Sequence, residues 1–130
     1  MAAKEWTSQA DWETWSWTNG DTTTTPGSVT IAAGNTQAVG VSPVYEAANW
    51  AAGYWRALVL AGTQPEATSY YLRFRVGATA VACAAATYSE YINGIDSAGG
   101  INFNLRQWIL NNPAWDVGPY IQIELCLDSD

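Results

Sequence analysis

The chain of 130 residues contains no histidine, and this absence excludes several kinds of catalytic and metal site. A Ser-His-Asp or Cys-His nucleophilic centre needs an imidazole base, and many zinc sites need imidazole ligands. Only two cysteines are present, Cys83 and Cys126, which are too few to hold a structural zinc ion alone. The sequence also lacks a glycine-rich phosphate loop of the Walker or Rossmann form. We therefore predict a protein that is not an enzyme and that holds no cofactor or metal.

Positive charge is scarce as well. The chain has five basic residues and twelve acidic residues, which gives a net charge of -7. Proteins that bind nucleic-acid phosphates need clustered lysine and arginine, whereas the arginines of this chain lie apart, at positions 56, 73, 75 and 106. The acidic excess also disfavours anionic membranes and suits a partner with a basic face. We therefore predict that the protein binds neither nucleic acid nor a membrane.

Long apolar runs are missing too. The uncharged stretch 76–89 is interrupted by glycine, threonine and tyrosine, and it is too short to span a bilayer. Residues 1–6 contain no apolar segment of the kind that signal peptides carry. We therefore expect synthesis and folding in a host cytoplasm, where Cys83 and Cys126 stay free thiols. A disulfide between them is the alternative if the protein ends up outside a cell.

What the sequence does contain is a repeated two-residue alternation. From residue 120 to 127 every second side chain is apolar, beginning with Ile121 and ending with Leu127. The pattern recurs over residues 71–76 and 57–61, and it lets a strand bury one face and wet the other. Several such strands, with almost no long helical pattern, predict an all-β chain. The predicted fold is an antiparallel, jelly-roll-like β-sandwich that forms one domain over residues 1–130.

Turn signals and prolines divide the rest of the chain into short elements. Turns are expected at the glycine-containing segments 19–21, 26–27 and 34–35. Pro43 interrupts a strand predicted over 37–47, which makes it an edge or bulged strand. Further strands are predicted over 28–33, 54–61, 68–76 and 77–86. One short helix is predicted near residues 104–112, where Asn104 can cap it and Pro113 lies just beyond its end.

Eight tryptophans in so short a chain are the main anomaly of its composition. One sandwich core has room for roughly three or four of them. The predicted core contains Trp6 or Trp12, Trp55 and Trp108, together with Leu58, Leu72, Phe74 and Ile123. The surplus rings are predicted to face a surface, where they form an interface or bind a ligand: Trp15, Trp17, Trp50 and Trp115. The first two share a face in a strand, and residues 7–11 before it can cap and turn the chain. The alternative is that all eight rings are buried.

The charged residues give weaker signals. Arg73 and Arg75 share one face of a predicted strand, and a cross-strand pair with Glu124 is the expected arrangement. The carboxylate pairs that a glycosidase would need are Asp11 with Glu13 and Glu90 with Asp96. We interpret these as solvated surface charge. A calcium site built from Asp11, Glu13 and Asp21 is an alternative, because calcium takes clustered carboxylates.

Three stretches, taken in order, carry a family resemblance. They are Gly40-Val41-Ser42-Pro43-Val44-Tyr45 before the aromatic loop 50–55, Tyr70-Tyr71-Leu72-Arg73-Phe74-Arg75-Val76-Gly77 after Pro65, and Gly118-Pro119-Tyr120-Ile121-Gln122. This order resembles the β-sandwich (jelly-roll-like) modules of phage virion proteins and prokaryotic surface proteins, over about residues 6–127. Those modules carry an arginine where this chain has Pro119, so any salt bridge of that arginine is absent here. The resemblance implies a fold and a virion or surface setting, but no activity.

Three functions follow as expectations. The first is a structural phage virion protein, most simply a capsid decoration or cement protein that associates with itself as a homotrimer, binds a capsid or other virion protein, and stabilises the assembled shell. The second is a carbohydrate-binding module of a phage tail fibre or surface adhesin, with a platform of Asn49, Trp50, Tyr54 and Glu46. The third is a glycan-degrading enzyme that uses one of the two carboxylate pairs.

Overall fold

The computed structural model describes residues 8–46, 69–93, 111–115 and 117–129. Along the chain these residues form α1 (Gln9–Glu13), β1 (Ser16–Thr18), β2 (Gly20–Asp21), β3 (Thr30–Ile31), β4 (Gln37–Val41), β5 (Tyr45–Glu46), β6 (Ser69–Gly77), α2 (Ala80–Ala85), β7 (Ile92–Asn93), a 3-10 turn (Pro113–Trp115) and β8 (Tyr120–Asp128). The strand predicted over 54–61 lies outside the described residues, as does all but the last two residues of the helix predicted over 104–112. The same holds for the tryptophans at positions 6, 50, 55 and 108 and for Leu58.

The described strands form one six-stranded sheet and one small hairpin. The sheet has the order β1-β4-β8-β6-β7, and β5 also pairs with β8, while β2 pairs with β3. All of these pairings are antiparallel. The prediction of a mostly β, antiparallel chain with few and short helices is therefore confirmed. The long strand β8 lies at the centre and contacts three other strands, so it organises the sheet.

The pairing of β6 with β8 builds the core. Phe74 lies opposite Ile123 and Leu72 opposite Leu125, so the apolar positions of both strands project from the same face. Leu72, Phe74 and Ile123 are almost fully buried, as the alternating pattern predicted. We call this side of the sheet the core face. The other side, which carries Arg73, Arg75, Gln122 and Glu124, is called the arginine face.

The break in the strand at Pro43 is confirmed, and Ser42 closes the gap. β4 ends at Val41 and β5 begins at Tyr45, and both pair with β8. Between them the Ser42 amide donates to the Ile123 carbonyl at 2.8 Å, and the Ile123 amide donates to the Ser42 hydroxyl oxygen at 2.9 Å. The buried backbone of Ile123 is thereby satisfied although the strand beside it is interrupted.

A second buried serine does the same on the opposite side of the β6–β8 pair. The Ser89 amide donates to the Phe74 carbonyl at 2.7 Å, and the Phe74 amide donates to the Ser89 hydroxyl oxygen at 3.1 Å. Because Phe74 and Ile123 are direct cross-strand partners, the two serines flank the same point of the core from its two sides. Each serine replaces one residue of a missing neighbouring strand.

We expect Ser89→Ala to destabilise the protein by about 1–3 kcal/mol, because the buried Phe74 amide then loses its acceptor. The free energy of unfolding, measured by urea titration, checks this value. Ser28→Ala is the matched control, since Ser28 is exposed and its described hydrogen bond comes from its backbone. Equal unfolding midpoints for the two variants would contradict the importance of the Ser89 hydroxyl.

Two of the predicted boundaries are wrong, and both errors concern helices. Residues 77–86 were predicted as a strand, but α2 occupies most of this stretch. Thr79 caps the helix by accepting a hydrogen bond from the Ala82 amide, and alanine has the highest helix propensity. Residues 7–11 were expected to cap and turn the chain; Ser8 does act as a cap, in a reciprocal capping box with Asp11, but the residues after it form α1 instead of a turn.

Candidate functional site

A cluster of three tryptophans lies against the core face. The Trp15 and Trp17 rings are stacked, with centroids 6.0 Å apart and planes 14° apart. The Trp12 ring lies across both, at 5.4 Å from Trp15 and 6.1 Å from Trp17. The Trp12 indole donates to the Gly27 carbonyl and the Trp17 indole to the Trp12 carbonyl. These bonds fix the rings of α1 and β1 relative to each other and to the 27–31 segment.

The structure corrects the expected orientation of Trp15. This ring was predicted to face outward, but only 4% of the residue is exposed and it belongs to the buried core. The Trp12 ring of α1 packs 5.4 Å from the Trp15 ring and itself lies against the core cluster, so Trp15 is covered. Trp12, which was a core candidate, is instead half-buried.

The other predicted surface tryptophans have different positions. Trp17 and Trp115 are half-buried and pack against the edge of the core cluster, so part of each residue reaches the surface. Trp50 lies outside the described residues. Of the sugar platform predicted around it, only Glu46 is described, as the last residue of β5. The structure thus brings Trp15 and Trp17 together. Trp15 is a core residue, whereas Trp17 lies at the margin of the core.

Gly40, which makes room for the Trp17 ring, was not identified from the sequence. Gly40 lies directly opposite Trp17 in the β1–β4 pair, and a Cβ at position 40 would stand 2.6 Å from the Trp17 ring. The ring therefore lies flat on the glycine backbone. A glycine inside a strand often marks such a close approach, so Gly40 within residues 37–41 was the available signal.

The arginine face carries the most polar arrangement of the described chain. Arg73 and Glu124 are direct cross-strand partners and form an ion pair, as the sequence predicted. The pair is less exposed than expected, because the Glu124 residue is only 8% exposed and the Arg73 side chain 30%. The hydrogen bond from Arg73 to Glu124 raises the pKa of the guanidinium above its usual value.

Two tyrosines that follow α2 cover this ion pair. The Arg73 guanidinium lies 4.4 Å from the ring centroid of Tyr88 and 4.6 Å from that of Tyr91. The Tyr91 hydroxyl donates to the Glu124 carboxylate at 3.3 Å. Burial raises the pKa of the Tyr91 phenol, and the Glu124 charge raises it further. These contacts could not be predicted from a sequence pattern, since both tyrosines belong to an irregular segment.

Arg75 has a different environment. Its Nε donates to the neutral Gln122 side chain at 2.7 Å, and Gln122 in turn donates to the Ser42 carbonyl at 2.8 Å. The Arg75 guanidinium also lies 4.5 Å from the Tyr88 ring centroid. The guanidinium is thus held in place by neutral groups. Within residues 8–46, 69–93, 111–115 and 117–129, the ion pair recorded belongs to Arg73 and none involves Arg75.

We expect Glu124→Gln to lower the free energy of unfolding by about 1–2 kcal/mol, because Arg73 then keeps a partly buried charge without a carboxylate. Urea titration at neutral pH measures the loss. Glu90→Gln is the matched control, since Glu90 is exposed and its removal should change stability by less than about 0.5 kcal/mol. A stability loss in Glu124→Gln no larger than the control's would mean that the ion pair contributes nothing.

The acidic candidates for catalysis or calcium binding serve local turns. Asp11 caps the Ser8 amide, and Glu13 accepts from the Gln9 side chain. Asp21 accepts from the hydroxyls and amides of Thr23 and Thr24, which lowers the pKa of its carboxyl well below the usual range. No group of three or more possible metal-ligating side chains occurs among the described residues. Asp96 lies outside them.

The two cysteines are free thiols and both are buried, as predicted. The Cys83 thiol, on α2, contacts the Arg75 carbonyl at 3.4 Å. Burial raises the pKa of both thiols, so neither is activated as a nucleophile.

No protein-family model matches this chain, and no curated protein or solved structure matches it either. The resemblance to sandwich modules of virion and surface proteins therefore stays a prediction. In the part of the chain that the structure describes, no helix has the length and apolar character needed to cross a membrane.

Proposed function

We propose that the protein is a structural component of a phage virion, a capsid decoration protein that binds the assembled shell and has no enzymatic activity. The observation that carries the proposal is a set of half-buried tryptophans at the margin of the core. Trp12, Trp17 and Trp115 pack on the core while keeping part of their area at the surface. Rings anchored in this way lose little rotamer freedom on binding, which suits a permanent contact.

We also propose that the six-stranded sheet is one layer of a jelly-roll-like sandwich. The continuous apolar core face supports this, because a sheet with such a face requires a second layer over it. An experimentally determined structure of the full chain tests the arrangement. A second sheet packed about 10 Å from the first would support it, and a core face covered by helices alone would refute it.

The shell contact would stabilise the assembled shell by mass action. A protein that binds the assembled shell and not its free subunits lowers the free energy of the assembly by its binding free energy. A homotrimer fits this function, since three linked copies multiply the effective concentration of the weak aromatic contacts. The acidic remainder of the chain would then face outward and keep decorated particles soluble.

The test uses purified protein and particles of the virus that encodes it. Analytical ultracentrifugation should show a trimer, and the protein should cosediment with particles. Trp115→Ala should weaken cosedimentation at least about tenfold, because a half-buried aromatic anchor is lost from the contact. Tyr91→Phe is the control, since it changes an exposed residue on the other side of the sheet. A monomer that leaves particles unbound would refute the proposal.

A further inference from the structure

The two cationic side chains within the described residues are not used alike, and Arg75 is the informative one. Arg73 and Arg75 are the cationic side chains within the described residues, and they project from the same face of β6. Arg73 is neutralised by Glu124. Arg75 instead donates from its Nε to a neutral amide oxygen, and its side chain is half-exposed.

The surroundings of Arg75 orient its guanidinium in advance. The Gln122 amide accepts from Nε at 2.7 Å and is itself anchored on the Ser42 backbone at 2.8 Å. The Tyr88 ring supports the guanidinium at 4.5 Å. These contacts use the Nε–H group of Arg75 and place the Tyr88 ring beside the guanidinium. The N–H groups of the two terminal nitrogens remain for another acceptor. An arginine held in this way loses less side-chain entropy when it binds a carboxylate with two parallel hydrogen bonds.

We propose that Arg75, with Tyr88 beside it, is a binding site for a sugar carrying a single carboxylate, such as a hexuronic acid. The carboxylate would pair with the terminal nitrogens of Arg75. The Arg73 and Arg75 guanidinium groups both lie over the Tyr88 ring, so the apolar C–H face of the sugar would pack against the part of this half-buried ring that they leave accessible. This site stands apart from the shell contact proposed above, because it lies on the arginine face.

The charge of the chain decides between possible carriers of that carboxylate. The net charge of -7 repels a peptide with several acidic side chains, and Arg75, the one cation without an ion pair among the described residues, can neutralise only one carboxylate. A hexuronic acid carries one carboxylate per ring and an apolar face beside it, which matches Arg75 and the adjacent aromatic ring.

The experiment titrates the purified chain with glucuronate and follows the Nε–Hε resonance of Arg75 by NMR. Saturable shifts with glucuronate and none with methyl glucoside are expected, and acetate should bind at least about tenfold more weakly because it has no ring. Arg75→Gln should weaken glucuronate binding roughly 10- to 100-fold, the effect of losing a charge-assisted hydrogen-bonded pair. Arg75→Lys, which keeps the charge but not the planar fork, should recover only part of the affinity.

Several results would overturn the proposal. They are an Arg75 resonance that glucuronate leaves unchanged, equal affinities for glucuronate and acetate, equal binding by the wild type and Arg75→Gln, and tighter binding of an acidic peptide than of glucuronate. Should Arg75→Gln fail to fold, the wild-type titration decides alone, since it reads the Nε resonance directly. Because no particle is involved, this outcome is independent of the shell-binding test.

Discussion

Trp15→Ala should lose about 3–5 kcal/mol of unfolding free energy, the range measured when a large aromatic residue is truncated in a core. The Trp15 ring is stacked on Trp17, crossed by Trp12 and packed in the same cluster as the apolar residues of β6 and β8. Truncation leaves a cavity between these rings that α1 and β1 cannot fill without moving. The loss is a large fraction of the stability of an ordinary small domain, so a substantial unfolded population is expected.

Urea titration monitored by far-ultraviolet circular dichroism gives the value. Trp115→Ala is the matched control, because it removes the same side chain from the half-buried margin of the cluster and should cost clearly less. Trp15→Phe should fall between the wild type and Trp15→Ala, since it keeps an aromatic ring at the site. If Trp15→Ala were as stable as Trp115→Ala, the ring would not be the core residue that its burial indicates.

Gly77→Val should destabilise the protein by about 1–3 kcal/mol or more and should loosen α2 from the sheet. A Cβ at position 77 would stand 2.7 Å from the Cys83 Cα and 2.9 Å from the Ala82 carbonyl carbon. Both atoms belong to the helix backbone, so no side-chain rotation relieves the clash, and the whole helix has to shift. Movement of α2 would expose the Cys83 thiol, which is now fully buried.

The rate at which a thiol reagent modifies Cys83 measures this displacement, with Cys126→Ser as the common background so that a single thiol is followed. A rate increase of at least about tenfold is expected, together with the loss in unfolding free energy. Ala84→Val is the matched control, because it places the same valine side chain at an exposed position of α2. Unchanged thiol reactivity in Gly77→Val would contradict the close packing of helix and strand.

Much of the sheet could be predicted from the sequence because its longest strands alternate strictly. In β8 and β6 every core-facing position is apolar, and a two-residue period leaves no other regular structure open to such segments. The break at Pro43 was predictable for a different reason, since proline cannot donate a backbone hydrogen bond to a neighbouring strand. The cross-strand pairing of Arg73 with Glu124 followed from the parity of the two positions.

The helix α2 was missed because alanine is too small to reveal a periodic apolar pattern. Residues 80–85 are mostly alanine, so neither a two-residue nor a 3.6-residue period is visible, and Cys83 is the one buried member of the helix. The signals that could have found both helices were the caps. Thr79 and Ser8 each precede the first helical residue and accept a hydrogen bond from an amide in the first turn.

The position of the tryptophans shows what a two-residue spacing, or parity, can and cannot predict about a strand. The two-residue spacing of Trp15 and Trp17 predicted that the rings share a side, and their stacking confirms this. Parity does not say which side of the sheet faces inward. In this chain Trp15 is buried among the apolar residues of β6 and β8, and the Trp12 ring of α1 packs against it. Whether the rings of a short aromatic strand face inward or outward therefore depends on residues outside that strand.

The central place of β8 has a consequence for protein synthesis. Ile123 is hydrogen-bonded to Ser42, 81 residues earlier in the chain, and among the described residues β4 and β6 are joined through β8. Until residues 120–128 have left the ribosomal exit tunnel, both of those strands lack their β8 partner and present an unpaired edge. We infer that the emergence of β8, rather than translation of the earlier strands, starts assembly of this part of the sheet.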